Sequence, residues 1–324
     1  MSYNSPIHII HTQNILTMTD YWQDLIQQQA KLTDDQDLNS HSYFTALPQL
    51  GIVQVSGEEA ESFLQNLLTN DVAAIELNQA QLSGFCNAKG RLFALFLLIR
   101  RSEAYQIILP KSMCSLLQQR LTMYKLRSKI TITDESDNLI CVGLTTPKQN
   151  QLANPQLVQH PSDSTRFLSI CDHTNIENLI SEFKQQNSQL APQKIWELLD
   201  IQKGIPTIWP ESKEKFTPQQ VNLDLIGGVS FSKGCYPGQE VVARLHYLGK
   251  PSRRLFIAEA NTTQLPNVAD EITDEDGVVA GHIVSVQQTE LIIKLLLSLK
   301  LTAEDTPLLL GNSIPVKVQK DEKS

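Results

Sequence analysis

The feature that most constrains the fold is an unbroken apolar run from Leu92 to Ile99. Such a run is typical of a strand that is covered on both faces, because a strand with one wet face alternates apolar and polar residues. The run falls far short of the ~20 apolar residues that a membrane-spanning helix needs. A second run, Leu291 to Leu299, is interrupted by Lys294. Both runs therefore predict buried strands, and we expect no membrane span.

Helical and strand-like patterns alternate through the first three quarters of the chain. Apolar residues recur at helical spacing in four segments, at residues 60–68, 113–124, 176–183 and 195–199. Strands that alternate with single helices predict an α+β body. From Pro251 onward, short β-rich runs are separated by Pro, Gly, Asn and Asp, which predicts a small antiparallel β-barrel or sandwich.

These patterns divide the chain into three parts. Residues 1–40 are polar, and we interpret them as a loosely packed lead-in with one helix near Trp22 to Gln29. Residues 41–245 form the α+β body, in two subdomains with a break near the polar, Pro-bearing stretch 145–165. Residues 246–324 form the C-terminal barrel.

Composition narrows the partners and the compartment. Lys plus Arg number 27 and Asp plus Glu number 35, giving a net charge of −8, the wrong overall sign for a protein that binds phosphate backbones. The basic residues within 111–129 are better explained as a solvated helix face, so direct contact with tRNA is not expected. Five cysteines stand far apart without a C-x-x-C pair. This excludes a disulfide framework or zinc ribbon and favours a reducing, cytoplasmic compartment.

The densest chemical signal is a glycine-rich stretch around Cys235, running from Gly227 to Arg244. Glycines allow sharp bends and a proline stiffens the turn, so the stretch predicts a cysteine presented on a shaped loop. Lys233 nearby would favour the thiolate, which is the nucleophilic and metal-binding form. The alternative is a tight turn that happens to contain a small apolar residue, and the residues alone leave both interpretations open.

The same stretch resembles the K-G-C-Y-x-G-Q-E signature of the YgfZ family, folate-binding, tRNA-modifying proteins related to the T-protein of the glycine cleavage system. The match is complete over eight residues: Lys233, Gly234, Cys235, Tyr236, Pro237, Gly238, Gln239 and Glu240. Three further segments resemble family motifs, at residues 63–72, 85–91 and 216–223. The resemblance covers residues 43–260 well, the barrel weakly and the first 40 residues not at all.

The resemblance implies a T-protein-like fold, with a ferredoxin-like α+β body and a barrel arranged around a central hole. That hole would take tetrahydrofolate or a derivative, with Cys235 near it. The resemblance also implies that the protein supports the assembly or repair of iron–sulfur clusters and works with assembly proteins or client enzymes. Its effect on tRNA thiolation would be indirect.

Four residues are expected at the folate site on this resemblance. Gln202 takes the place of a glutamate that reads the pterin edge in T-proteins, but brings no charge, which should weaken the affinity. Trp196 could stack on the heterocycle or simply pack in the core. Leu50 stands where the family has another folate-associated tryptophan. Arg244 could meet the carboxylates of the folate tail or pair with Glu240.

The T-protein reaction requires an acid-base aspartate, and this chain has Ala94 and Leu95 at the corresponding place. General acid-base help is typically worth ~10²- to 10⁴-fold, so aminomethyl transfer is not expected. A tetrahydrofolate-dependent one-carbon transferase is kept as the rival hypothesis, and a scaffold without a ligand as a third. His8 and His11 share a metal-like spacing but lie in the lead-in, so no metal site is predicted.

Overall fold

The computed structural model describes residues 21–32, 41–147, 156–249, 251–303, 306–311 and 313–319. The helices are α1 at residues 21–29, α2 Ala60–Gln65, α3 Lys111–Lys125, α4 Ile176–Gln185, α5 Gln193–Gln202 and α6 Gln239–Tyr247. The strands of the body are β1 Tyr43–Ala46, β2 Leu50–Ser56, β3 Ala80–Cys86, β4 Leu92–Arg100, β5 Ala104–Pro110, β6 Thr131–Asp134, β7 Leu139–Thr145, β8 Leu157–His160, β9 Asp163–Asp172 and β10 Gln189–Leu190. The C-terminal strands are β11 Arg253–Ala260, β12 Glu271–Asp274, β13 Val279–Gln288, β14 Ile293–Lys300, β15 Leu308–Leu310 and β16 Ile314–Val318.

The predicted apolar strand is β4, which lies inside an antiparallel sheet of order β3-β4-β5-β2-β6. On one face, Ala94, Phe96 and Leu98 pack against apolar side chains of α2 and α3. On the other face, Leu95 packs against Ile201 of α5 and against apolar residues of the barrel. The prediction of a strand covered on both faces is confirmed.

A second sheet has the order β10-β1-β7-β9-β8 and is antiparallel except for the β1–β10 pair. Its core is covered by α1 and α4, which contribute Trp22, Leu25, Leu179 and Phe183. A subdomain break was predicted near residues 145–165, and the described residues of that segment, 145–147 and 156–165, lie in or next to strands β7, β8 and β9 of this sheet. The chain instead passes from the first sheet to the second between β6 and β7.

Residues 21–29, which form the helix of the lead-in, are more firmly packed than predicted. Trp22 and Leu25 are buried, and the side-chain amide of Gln29 both donates to and accepts from the backbone of Ala46 at 2.9 Å. Because Gln29 satisfies both backbone polar groups of Ala46, helix α1 is attached to the C-terminal end of β1. The remaining residues of the lead-in, 1–20 and 33–40, lie outside the described residues.

The C-terminal strands form the predicted antiparallel barrel, closed in the order β11-β14-β13-β12-β15-β16, with β16 pairing back onto β11. Its interior is filled by aliphatic side chains, among them Leu295, Leu297 and Leu299 of β14. The fold is therefore mixed α/β with a barrel, as predicted. Among the helices of the described ranges, none is long and apolar enough to span a bilayer.

Helix α5 is the element that connects the three parts. It packs against β1 of the second sheet and against β13 and β14 of the barrel, while Ile201 near its end reaches the cluster below the first sheet. Residues on its different faces consequently point into different inter-domain spaces. A site between the domains would therefore be lined by α5.

Candidate functional site

The cysteine-bearing loop is joined to a segment more than 150 residues earlier in the chain. The hydroxyl of Thr69 donates to the carbonyl of Gly228 at 2.7 Å, and the carbonyl of Thr69 accepts from the backbone N–H of Ser230 at 3.0 Å. The Asn70 amide donates to the carbonyl of Gly227 at 2.8 Å. Two motifs that the sequence shows separately are thus one structural unit.

Lys233 points away from the solvent and holds this unit together. Its ammonium group donates to the carbonyl oxygens of Gln65 at 2.5 Å, Leu68 at 2.6 Å and Asn70 at 3.0 Å. Burial lowers the pKa of the ammonium group to about 8. An ammonium group has three N–H donors, and all three are used here. The influence of Lys233 on the thiolate stays a prediction, because the contacts seen in the structure direct its N–H donors to the chain that follows α2.

The end of the loop is fixed by two glycines that pack against each other. Gly238 has φ +79°, and a Cβ atom on it would lie 2.4 Å from the carbonyl oxygen of Asn87 and 2.6 Å from the Cα of Gly90. A left-handed conformation and a close backbone approach both favour glycine. The turn at residues 87–91 is thereby pressed onto the start of α6.

Cys235 differs from the other cysteines in being accessible. Its side chain is exposed, whereas the other four are buried: Cys86, Cys114, Cys141 and Cys171. Burial raises the pKa of the Cys114 thiol to about 11 and of Cys86 and Cys171 to about 12, and it also raises the pKa of Cys141. Since the thiolate is the reactive form, the four buried cysteines are poor nucleophiles, and the chain offers one thiol to a partner.

The other signature residues surround this thiol in different ways. Tyr236 is buried with its ring 5.5 Å from the Lys233 ammonium nitrogen, and burial raises the pKa of its hydroxyl. Gly234 is exposed with open space around its Cα. Gln239 and Glu240 begin α6, and Arg244 is exposed near the end of that helix. The structure therefore presents Cys235 on a loop whose two neighbouring side chains, Lys233 and Tyr236, are anchored.

Two of the predicted folate residues, Leu50 and Trp196, line the same cavity. It has a volume of about 70 Å³ and is also lined by Leu95, His160 and Asp200. The Trp196 ring packs directly on β7 at Gly143. A Cβ atom on that glycine would lie only 2.4 Å from the ring. The Trp196 side chain thus packs in the core and also lines a cavity, and its stacking on a heterocycle stays a prediction.

Gln202 lies elsewhere, in a cleft of about 960 Å³ lined by α5, the barrel and the segment 222–226. Gln202 lies six positions after Trp196, and at about 100° per residue the two side chains point roughly 120° apart on the helix. The cavity at Trp196 is not lined by Gln202, and the cleft at Gln202 is not lined by Trp196. Neither the cavity nor the cleft is lined by Cys235 or Arg244.

Sequence reasoning missed a buried charged network beneath Trp196. Arg166 is fully buried and donates to Asp163 at 3.1 Å and to Asp200 at 2.7 Å, and its guanidinium carbon lies 4.8 Å from the centre of the Trp196 ring. On the same helix, Glu197 accepts from the amides of Gln193 and Gln287. The sequence signal for this network was the presence of two acidic residues, Glu197 and Asp200, within the apolar stripe of α5.

The position of the acid-base residue is apolar in the structure as well. Ala94 is buried against α2 and α3, and Leu95 lines the Trp196 cavity. Across the described residues, no group of three or more His, Cys, Asp or Glu side chains is arranged to hold a metal ion. His8 and His11 fall outside those residues.

Comparison with known proteins identifies the fold. The model of the GCVT N-terminal domain matches residues 36–181. The glycine cleavage system aminomethyltransferase T from Bartonella henselae superposes with a TM-score of 0.67 at 13% identity, covering 91% of this chain and 88% of that one. The fold is accordingly that of the GcvT-like aminomethyltransferases.

Sequence relatives define the family. The tRNA-modifying protein YgfZ of Edwardsiella ictaluri is 33% identical over 68% of this chain and 72% of its own length. The proteins of the same name from Colwellia psychrerythraea and Photobacterium profundum are 30% and 31% identical, over 77% and 70% of this chain and 82% and 72% of their own lengths. The chain belongs to the YgfZ family.

Proposed function

We propose that this protein is a folate-binding accessory factor that supports the assembly or repair of iron–sulfur clusters through the thiol of Cys235. Its effect on tRNA would then pass through the iron–sulfur enzymes that thiolate tRNA. The observation that carries the proposal is the contrast between one exposed cysteine on an anchored loop and four buried ones.

An exposed thiolate can act in two ways toward such a client. It is a soft ligand that suits iron in a cluster, and it can exchange with a disulfide or a persulfide on a partner. The anchoring of Lys233 and Gly238 fixes the loop on both sides of Cys235. A thiol held in this way can meet a partner protein without local rearrangement, which lowers the cost of association.

The cleft beside α5 that Gln202 lines fits a reduced folate in size. Ligand sites typically measure about 300–1,000 Å³ and combine apolar walls with a few polar groups. The cleft at Gln202 falls within that range and is lined by Gln202, Asn222 and Arg254 among apolar side chains. Asn222 is bonded to the backbone of Leu255 and Arg254 to Asp224, so Gln202 is the polar group considered for the ligand. When bound, tetrahydrofolate supplies a reduced heterocycle that carries one-carbon units. Gln202 and the apolar residues of the cleft would bind and orient the folate and exclude water from one of its faces.

Complementation tests the role of the thiol. A bacterial strain that lacks its own family member would receive the wild type, Cys235→Ala or Ser232→Ala, with the activity of an iron–sulfur enzyme and the amount of thiolated tRNA nucleosides as readouts. We expect the wild type and the Ser232→Ala control, an exposed change in the same loop, to restore both. Full rescue by Cys235→Ala would remove the thiol from the mechanism.

Calorimetric titration tests the folate part separately. We expect 5-formyltetrahydrofolate to bind the purified wild type and to raise its melting temperature, because a ligand that binds only the folded state must stabilise it. An absence of both heat and stabilisation at millimolar ligand would refute folate binding while leaving the thiol hypothesis standing.

A further inference from the structure

Helix α6 keeps one face exposed to solvent. At about 100° per residue, this face covers an arc of roughly 120° that contains five exposed residues: Glu240, Val241, Arg244, Tyr247 and, just after the end of the helix, Leu248. Three of the five are apolar, and Tyr247 is 65% exposed and Leu248 85% exposed. A cluster of exposed apolar side chains on one helix face is typical of an interaction surface.

The exposed face of α6 and Cys235 belong to one structural unit. Phe231 precedes Cys235 by four residues, and its ring stacks on His246 in the last turn of α6, with the centroids 3.6 Å apart and the planes 12° apart. Gly238 follows Cys235 by three residues and caps the start of α6. At up to ~3.6 Å per residue, the Cα atom of Cys235 lies within about 11 Å of the Cα atom of Gly238. A protein that reaches the thiol therefore also lies beside α6.

The turn at residues 87–91 borders this face and adds positive charge to it. A Cβ atom on Gly90 would lie 2.9 Å from the side chain of Val241, so the turn lies directly against α6. Lys89 and Arg91 flank Gly90, and both are exposed. Nη1 of Arg91 donates to the carbonyl of Lys215 at 2.6 Å, which brings a third exposed cation to the same border.

The cations at this border have no internal counter-ions. Five basic residues in the segments 89–91, 211–215 and 240–244 make no ion pair to the described residues: Lys89, Arg91, Lys213, Lys215 and Arg244. The same segments contain three carboxylates: Glu211, Glu214 and Glu240. The three segments thus carry a net positive charge on a chain whose overall charge is −8. A positive surface of this kind complements a partner with exposed carboxylates.

The mixture of apolar and basic residues favours a protein partner over a nucleic acid. Interfaces with nucleic acids are more polar and much more positively charged than interfaces between proteins. Interfaces between proteins typically have an apolar centre and a polar rim. Val241, Tyr247 and Leu248 provide such a centre, and the cations of the neighbouring turn provide such a rim.

We propose that the exposed face of α6, together with Lys89, Arg91 and Lys215, docks a protein segment that carries apolar side chains next to carboxylates. This α6 surface would bring the partner to Cys235. The proposal rests on the proposed function, because it specifies how a client of the thiol is recognised. Burial of the apolar residues would supply affinity, and the cations would orient the partner and speed its association.

The test uses the bacterial strain that lacks its own family member, with the protein expressed from a titratable promoter. Leu248→Asp alters the apolar centre, and the double variant Lys89→Glu, Lys215→Glu reverses the charge of the rim. We expect each to need at least about tenfold more protein than the wild type for half-maximal activity of an iron–sulfur enzyme, the factor that corresponds to a loss of 1.4 kcal/mol in binding.

Matched controls change the same residue types outside the α6 surface. Leu291→Asp alters an exposed leucine between β13 and β14, and the double variant Lys31→Glu, Lys184→Glu reverses two other exposed lysines. We expect both controls to rescue within twofold of the wild-type dose. All purified variants should keep the wild-type melting temperature, affinity for 5-formyltetrahydrofolate and rate of Cys235 alkylation by iodoacetamide, which a merely structural defect would change. Should Leu248→Asp fail to fold, Tyr247→Ser tests the same face.

The results separate the docking surface from the role of the thiol. Rescue by both α6-surface variants at the wild-type dose would overturn the docking proposal while leaving the thiol hypothesis standing. Full rescue by Cys235→Ala would instead refute the thiol hypothesis, and a tenfold dose effect of the α6-surface variants would still support docking. A gel shift of an unmodified tRNA transcript at 0.15 M salt by the wild type, lost in the Lys89→Glu, Lys215→Glu variant, would assign the surface to RNA and overturn the protein partner.

Discussion

The ammonium nitrogen of Lys233 lies 2.6 Å from the carbonyl oxygen of Leu68, a residue 165 positions earlier in the chain. With Gln65 and Asn70 as its other acceptors, Lys233 joins the signature loop to the segment that follows α2. The loop that presents the exposed Cys235 therefore depends for its position on a lysine that does not itself face the solvent.

Replacing Lys233 by methionine should destabilise the protein by roughly 2–4 kcal/mol. The change keeps the apolar stem but leaves three carbonyl groups without their charged donor, and each lost bond to a charged group is typically worth about 1.5–3 kcal/mol, with partial compensation by water. Urea unfolding measures the effect. The control is Lys89→Met, an exposed lysine on the neighbouring turn; equal stability of the two variants would contradict the anchoring role.

Gly238→Ala should be much more damaging than Gly227→Ala. The two glycines have nearly the same backbone, with φ +79° and φ +80°, so the cost of a left-handed alanine, about 1 kcal/mol, is shared. A Cβ atom at Gly238 would meet Asn87 and Gly90, whereas nothing lies within 4 Å at Gly227. The difference in unfolding free energy therefore isolates the contact, and a difference below 1 kcal/mol would show that the turn at 87–91 can move aside.

Iodoacetamide should modify the native protein at one position, Cys235. The other four thiols are buried, and burial raises their pKa values, so each would need local unfolding to react. Intact mass spectrometry should show one adduct on the wild type and none on Cys235→Ser at matched times. Addition of denaturant should expose five. Rapid modification of a second native thiol would argue against the buried positions described above.

His160 should make the protein less stable in mild acid. Its pKa is lowered from 6.5 to about 3 by burial, so between these values the unfolded chain binds a proton that the folded protein does not. Stability is therefore lost as the pH falls from about 6.5 toward 3, by about 2 kcal/mol at pH 5 relative to pH 7.

Urea unfolding at pH 7 and pH 5 checks this value by comparison with His160→Gln, which lacks the titrating ring. We expect the loss of stability between the two pH values to be about 2 kcal/mol smaller in the variant. The buried carboxylates titrate in both proteins and largely cancel in the comparison. An identical loss in both would mean that His160 is protonated in the folded state.

Local patterns predicted much of the fold. The run at Leu92–Ile99 predicted a strand with two covered faces, and the helical spacing at 176–183 predicted α4, because buried faces repeat with the period of the element. The helical stripe at 60–68 overestimated α2, which ends at Gln65. The last apolar residues of that stripe, Leu67 and Leu68, are buried in the irregular chain after α2, where the Lys233 ammonium group donates to the carbonyl of Leu68.

The candidate site was only half predictable. The signature loop and Cys235 could be selected because a dense motif carries its own chemistry. The separation of Trp196 from Gln202, and the burial of Asp200 against Arg166, depend on which domain faces each side of α5. That arrangement is set by contacts between distant segments, so a local sequence pattern cannot predict it.

The closure of the C-terminal barrel limits how a client can be recognised. With β16 paired to β11, the six described strands of the barrel leave no free edge. An incoming peptide therefore cannot be captured on these strands by strand addition, a common mode of peptide recognition. A client that docks on the barrel must be selected through side chains and loops. Partner choice on that part of the protein can consequently drift through surface substitutions without disturbing the hydrogen-bonded framework.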